Sequence, residues 1–399
     1  MSVGVCVINR NGIALAADSA GTFTGGNRMF YNSMNKVFSL SSKNVYGAIT
    51  YGTSTIYNAS IEQILKEFGL FLDSQEDISD FFDIVTCFEN FIVTRNQYYK
   101  FNNAELEECE SLIGFFLKEW ENKLKAAITS QNIEAELDKI LNEINNLATG
   151  SAKIDNYDVS EYIKITYSDK FDELISDLVP EINKYSQKKD ELWNNICKLF
   201  NLSLVPELKH KTGLFFAGYG KSDAYPKCIG IEIFNVFNGK IKYRQTVKFE
   251  ESNNNAKIFP MAQDEVILTF CRGISSSFID NIPSKTVELI QSKIDQLPSE
   301  FSDDQKQKIK KHLETIDKEI KSEINTMAQN ENVNPIFASV QLIPLTEMAF
   351  LAENLVNITS LKRTFALDGN QQTVGGPTDV AILSKGDGFV WIKKKTSNP

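Results

Sequence analysis

Apolar and polar positions alternate from the first residues of the chain. Val3, Val5 and Val7 interleave with Ser2, Gly4 and Cys6, and after an Asn11-Gly12 turn Ile13 and Leu15 lead to an acid at Asp18. A period of two around an Asn-Gly dipeptide predicts a strand, a hairpin and a second strand. A polar loop rich in Gly and Asn follows. Lys36 then opens a third apolar run (Val37, Phe38, Leu40), and Val45 to Tyr51 gives a fourth before Gly52. Four short strands within about fifty residues predict one antiparallel sheet.

From Ile56 to about Pro206 the apolar period lengthens to three and four residues, through SIEQILKEFGLFL, DISDFFDIVTCFENFIV, LEECESLIGFFLKEWENKLKAAI, IEAELDKILNEINNLA and DELWNNICKLFNLSL. These runs predict amphipathic helices. The Phe stripe at Phe81, Phe82, Phe88 and Phe91 reads as core. At Lys211 the strand pattern returns in KTGLFFAGYG, CIGIEIFNVFNG and KIKYRQTVKFE, with Asn238-Gly239 as a tight hairpin turn. Charged sequence from Ser284 to Met327 predicts a helical hairpin broken at Pro298-Ser299, with a solvated or coiled-coil face. Residues 344–365 predict one more helix, and DVAILSK and FVWIKKK a closing hairpin; Lys393-Lys394-Lys395 reads as a solubilising end. The expected organisation is three sheet-forming parts, 1–58, 211–282 and 331–399, separated by helical blocks 59–210 and 283–330.

Composition narrows the functional classes. The net charge of −10 argues against nucleic acid or an anionic membrane as partner. The sequence carries no basic leader followed by an apolar run and no apolar stretch long enough to span a bilayer, so a cytoplasmic location is expected. Its six cysteines (Cys6, Cys87, Cys109, Cys197, Cys228, Cys271) are scattered without a C-x-x-C pair, which reads as free thiols. Only His210 and His312 are available to a metal centre or a Ser-His-Asp triad, and their settings read as solvated or capping. No cofactor is expected, and no G-x-x-x-x-G-K phosphate loop occurs.

The polar residues of the first strands suggest chemistry that needs no histidine. Ser2 is small enough for Met1 to be removed by a methionine aminopeptidase, which leaves a hydroxyl nucleophile beside its own α-amino group. That amine has a pKa of roughly 7.7–8.0 and takes a proton near neutral pH. A Lys36 ammonium held by Asp18 would stabilise the alkoxide and favour the neutral amine.

This stretch resembles the start of a proteasome β subunit or its bacterial heat-shock relative, in the N-terminal nucleophile (Ntn) hydrolase superfamily. There an N-terminal Thr, an Asp ending the second strand and a Lys heading the third form the catalytic group, and Ser2, Asp18 and Lys36 fall on those positions. The resemblance implies an α+β fold, a four-layer αββα sandwich of two antiparallel sheets, here with two helical insertions. In it the first helix or two would pack on one sheet face, and the remainder of 59–210 would be an insertion placed to act as a lid or docking surface. It implies cleavage of peptide, protein or small amide substrates and assembly into a homo-oligomer. It also implies Gly52 as oxyanion donor, Ser275 and Thr373 as supports of the nucleophile, a glycine pair, Gly375-Gly376, that without Cβ atoms lets the backbone pass close to the nucleophile, and a second Asp, for which Asp368 stands further back than the family spacing and Gln371 holds the nearer position. The competing readings are a helix cap for Ser275, a strand-to-helix turn at Gly52 with Thr53, Ser54 and Thr55 capping the helix, and an inactive assembly protein that keeps the fold. Cys6 as nucleophile after loss of five residues would stand at the wrong distance from Asp18.

Overall fold

The computed structural model describes residues 2–25, 27–57, 59–99, 103–151, 154, 157–202, 211–251, 255–296, 302–365 and 374–395. The strands among the described residues, in chain order, are β1 (Val3–Asn9), β2 (Gly12–Ala17), β3 (Gly21–Gly25), β4 (Asn27–Tyr31), β5 (Val37–Ser39), β6 (Tyr46–Gly52), β7 (Thr55–Ile56), β8 (Ala59–Ser60), β9 (Thr212–Gly218), β10 (Lys227–Phe237), β11 (Lys240–Glu250), β12 (Lys257–Ala262), β13 (Asp379–Ser384) and β14 (Gly388–Lys393). The helices are α1 (Ile61–Ser74), α2 (Ile84–Tyr99), α3 (Ala104–Ile128), α4 (Ile133–Gly150), α5 (Ser160–Thr166), α6 (Ser168–Leu178), α7 (Ser186–Leu199), α8 (Glu265–Arg272), α9 (Ser276–Asp295), α10 (Asp303–Ala328), α11 (Asn334–Leu342) and α12 (Leu345–Phe365).

The long strands form two five-stranded antiparallel sheets, ordered β12-β1-β2-β13-β14 and β11-β10-β9-β6-β5. The four N-terminal strands expected in one sheet are therefore divided, β1 and β2 to the first, β5 and β6 to the second. Each side chain on β1 and β2 is buried because the two faces meet different partners. Val3, Val5, Val7, Ala14 and Ala16 pack against α8, α11 and α12, whereas Cys6, Ile8, Ile13, Leu15 and Ala17 pack against Val37, Ile49, Phe215 and Ala217 of the second sheet. Gly4 and Gly47 leave room for side chains of the facing sheet, since an added Cβ would lie 2.9 Å from Ile49 and 3.0 Å from Leu15.

On its other face the second sheet is covered by α1 and α2, with Phe68, Phe81, Phe88 and Phe91 in the core they share with Phe216 and Ile231. Phe82 is only partly buried there. Helices α3 to α7 build a separate apolar cluster that meets the sheet at Phe237. Among the described residues no helix is long and apolar enough to cross a membrane.

Several elements differ from the sequence pattern. The polar loop after Asp18 contains the β3–β4 hairpin. β12 carries Pro260, a residue that normally weakens a strand assignment; it is accommodated because β12 is an edge strand. α9 runs from Ser276 to Asp295 through Pro283, so the boundary expected at 282–283 falls inside one helix. A π-helical turn at Gln329–Val333 joins α10 to α11, so the helical block continues past 330. The Asn238-Gly239 turn is as expected, both residues having positive φ (51° and 75°), the geometry of a two-residue hairpin whose twist matches the strands.

Candidate functional site

The site is built at one end of the two sheets, where β1 and β5 begin and β2 and β6 end. Asp18 follows the last residue of β2 and is 1% exposed. Its N–H donates to the Val3 carbonyl at 3.2 Å, continuing the β1–β2 ladder and turning the carboxylate back towards the start of β1. There Oδ1 accepts from the Val3 N–H (3.0 Å) and from Lys36 Nζ (2.6 Å), while Oδ2 accepts from the N–H groups of Ala20 (3.3 Å) and Gly375 (3.1 Å). Donors from three separate parts of the chain thus saturate one buried carboxylate, which is how a charge is held in a low-dielectric interior.

Lys36 precedes β5, and its carbonyl accepts from the Thr50 N–H at 2.9 Å, which fixes the backbone from which the side chain reaches Asp18. Burial pushes the Lys36 amine below the usual lysine range, Asp18 opposes that shift, and the positive charge of Lys395 adds to it. Ser2 is 7% exposed and accepts the Gln263 N–H on its carbonyl at 3.2 Å. Its neighbour Val3 is bound to Asp18 on one side and pairs with Ala262 on the other, so the start of the chain is fixed between β2 and β12.

Ser2 and Gly52 line the same cavity, of about 450 Å³. Gly52 ends β6 with φ +84°, and a Cβ there would stand 2.1 Å from the Lys211 carbonyl oxygen, so the position excludes any side chain. Phe215, Phe259 and Met261 give the cavity apolar walls, and Glu232 lies between Lys211 (2.8 Å) and Arg244 (2.6 Å). The Tyr51 hydroxyl, also in the wall, is pushed up to about 12 by burial and by Glu232.

The remaining predicted residues stand as follows. Asp18 and Lys36 are brought into contact, and Ser2 and Gly52 share a cavity. Ser275 is the N-cap of α9, its hydroxyl accepting from the Phe278 N–H at 3.4 Å, and Gly273 ends α8 with φ +71°. The hydroxyls of Thr53, Ser54 and Thr55 do not cap α1: the small β7–β8 hairpin intervenes and α1 starts after Ser60, with only the Ser54 carbonyl accepting from its first N–H, that of Ile61, at 2.9 Å, while Thr53 pairs with Thr212 through their hydroxyls at 2.9 Å. Met1, Thr373, Asp368, Gln371, His210 and the side chain of His312 lie outside the described residues. Cys6 is fully buried and its thiol is pushed up by burial and by Cys228, which makes it a poor nucleophile.

The Gly375-Gly376 pair is expected from the sequence to pass close to the nucleophile; its hold on Asp18, and the parts of Asp379 and Lys395, were not read there. Gly375 is an active partner, its N–H on Asp18 and its carbonyl on the Ser19 N–H (3.2 Å). Asp379 and Lys395 form a second buried ion pair at 2.7 Å next to Ser19. The expected solubilising end therefore includes one lysine that is packed inside, and nothing distinguishes it from Lys393 and Lys394 in a basic run. The chain matches no protein-family model, and comparison with curated proteins gives no match.

Proposed function

We propose that the chain is an Ntn hydrolase with a four-layer αββα core that cleaves peptide or amide bonds through Ser2 after loss of Met1. The observation that carries this reading is the Asp18 carboxylate, which takes both Lys36 Nζ and the N–H of Val3, the residue following Ser2, beside a cavity lined by Ser2 and Gly52. A buried ion pair seldom stabilises a fold on balance, so its position at the start of β1 supports a chemical use.

In this mechanism the free α-amine of Ser2 takes the hydroxyl proton as Oγ adds to the substrate carbonyl carbon. Lys36 stabilises the alkoxide, and the Gly52 N–H is the proposed donor to the oxyanion. The amine then passes its proton to the leaving nitrogen, the C–N bond breaks and an ester links Ser2 to the acyl group. Water, deprotonated by the same amine, adds to the ester; the acid leaves and Oγ regains a proton. Peptides, proteins and small amides all fit these steps. We place the protein in the cytoplasm, where its six free cysteines would stay reduced. Assembly of copies into a ring, which the resemblance implies, is tested by light scattering of the purified protein.

Intact mass and N-terminal sequencing of protein tagged only at its C-terminus decide the first condition. A chain beginning at Ser2, labelled by an electrophilic proteasome probe that Ser2→Ala no longer takes up, is the expected result. Quantitative retention of Met1 would leave Ser2 without a free amine and make the protein a non-catalytic scaffold of this fold.

A further inference from the structure

Lys395 lies two residues beyond β14, at the far end of the chain from the site, yet its side chain is only 9% exposed. Its ammonium donates to Asp379 Oδ2 at 2.7 Å, to the Met34 carbonyl at 2.6 Å and to Ser19 Oγ at 3.1 Å, and its own N–H donates to Asp379 Oδ1 at 2.8 Å. The Ser19 hydroxyl donates to the Pro377 carbonyl at 2.6 Å, so its oxygen accepts from Lys395. Ser19 and Met34 are the two ends of the β3–β4 excursion, joined by the Met34 N–H on the Ser19 carbonyl at 3.0 Å. One of these ends adjoins Asp18, and the other precedes Lys36 by two residues.

We propose that Lys395 is a positioning residue for the Asp18–Lys36 pair: held by Asp379, its ammonium clamps Ser19 to Met34 and sets a second cation against which the pair is balanced. Both halves of the role follow from placement. The clamp fixes the backbone at both ends of the loop between the two interacting groups, which lie 18 positions apart in the chain. The charge is felt by Lys36, whose amine is lowered first by burial, against the pull of Asp18, and further by Lys395. The charged groups around Lys36 are Asp18 after β2, Lys395 after β14, and behind them Asp379 on β13 and Glu62 on α1, which accepts from Asn35 at 2.9 Å and also feels Lys395. A lysine that ties four parts of the fold together from a basic tail is more than a solubilising end.

The inference rests on the proposed function for its catalytic meaning, but its test does not use activity. The Lys36 titration is followed by ¹³Cε/¹⁵Nζ NMR of the full chain, assigned with Lys36→Arg. Lys395→Met removes a like charge, so Lys36 should bind its proton about 3-fold more tightly or better, its midpoint moving to higher pH. Lys395→Arg keeps the charge and should titrate as the wild type does. An unchanged midpoint in Lys395→Met, or an equal change in Lys395→Arg, would overturn the proposal. If Lys395→Met fails to fold, Asp379→Asn decides: it leaves Lys395 uncompensated and should move the Lys36 midpoint to lower pH, and no movement overturns the proposal. An inert Ser2 with the expected Lys36 response would sink the catalytic reading alone. A reactive Ser2 with an unresponsive Lys36 would sink this inference alone, whereas both holding would also move the alkaline limb of the activity profile with Lys36, which acts as an ammonium.

Discussion

Lys242 shows what a single buried charge costs this fold. It sits on β11 with only 1% exposure, its ammonium donating to the Phe200 carbonyl at the end of α7 (2.6 Å) and facing the Tyr157 ring at 5.8 Å. Burial pushes its amine down to about 7. The unfolded lysine titrates near 10.4, so between about pH 7 and 10 the unfolded chain holds one more proton than the folded chain. Folding stability from this group therefore rises with pH, by about 1.4 kcal/mol per pH unit, and is lost as pH falls towards 7. Lys242→Met removes a penalty on the order of 4 kcal/mol at pH 7 and a hydrogen bond worth about 1–3 kcal/mol. The variant should be the more stable protein at pH 7 by about 1–3 kcal/mol, with the gap closing towards pH 10. Urea midpoints at pH 7 and 9.5 measure this, and parallel pH slopes for the two proteins would refute it.

At the level of elements, one acid gathers several ties between the α3–α7 insertion and the sheet. Glu105, in the first turn of α3 and 4% exposed, accepts from the hydroxyls of Tyr57 (3.2 Å), Tyr162 and Tyr167 (2.7 Å) and from the Asn238 N–H (3.1 Å) in the β10–β11 turn. It therefore links α3 to α5, to the start of α6 and to the tip of a sheet hairpin. Glu105→Ala removes the one acceptor that these four donors share, buried Tyr167 among them, a loss on the order of 3 kcal/mol. The expected result is a rise of about 100-fold in the rate of proteolysis within α3–α7, because cleavage follows the population of the open form. A rate unchanged from wild type would mean that the apolar cluster alone holds the insertion.

At the scale of the whole molecule, the described residues form four apolar clusters, and one of them belongs almost entirely to α3–α7 and the chain that follows α7, with Phe237 as its contact from the sheet. An element set with its own core and few shared side chains opens as its own cooperative unit. Native-state hydrogen exchange should show amides of α4 and α7 opening at lower denaturant than those of β1, β2, β9 and β10. A single shared opening for both groups would show instead that insertion and sheets fold as one unit.

The sequence by itself determined the features whose causes are local. Period-two alternation and the Asn238-Gly239 dipeptide specified strands and their tightest turn, and three- and four-residue apolar spacing specified most of the helices, since these depend only on which way neighbouring side chains point. α5 and α6 escaped the pattern because they are short, at seven and eleven residues. Asp18 and Lys36 were legible as an unusual pair of charges at strand ends, but their contact, and its burial, come from the packing of one sheet on the other. Only the tertiary structure decided that β1–β2 and β5–β6 belong to different sheets, because hairpin pairing is local whereas sheet membership is set by contacts far apart in the chain. It alone distinguished Lys395 from the lysines beside it, through partners as distant as 361 and 376 residues. A charged side chain near a chain end carries no sign of its partner until the fold brings that partner, and the exclusion of water, to it.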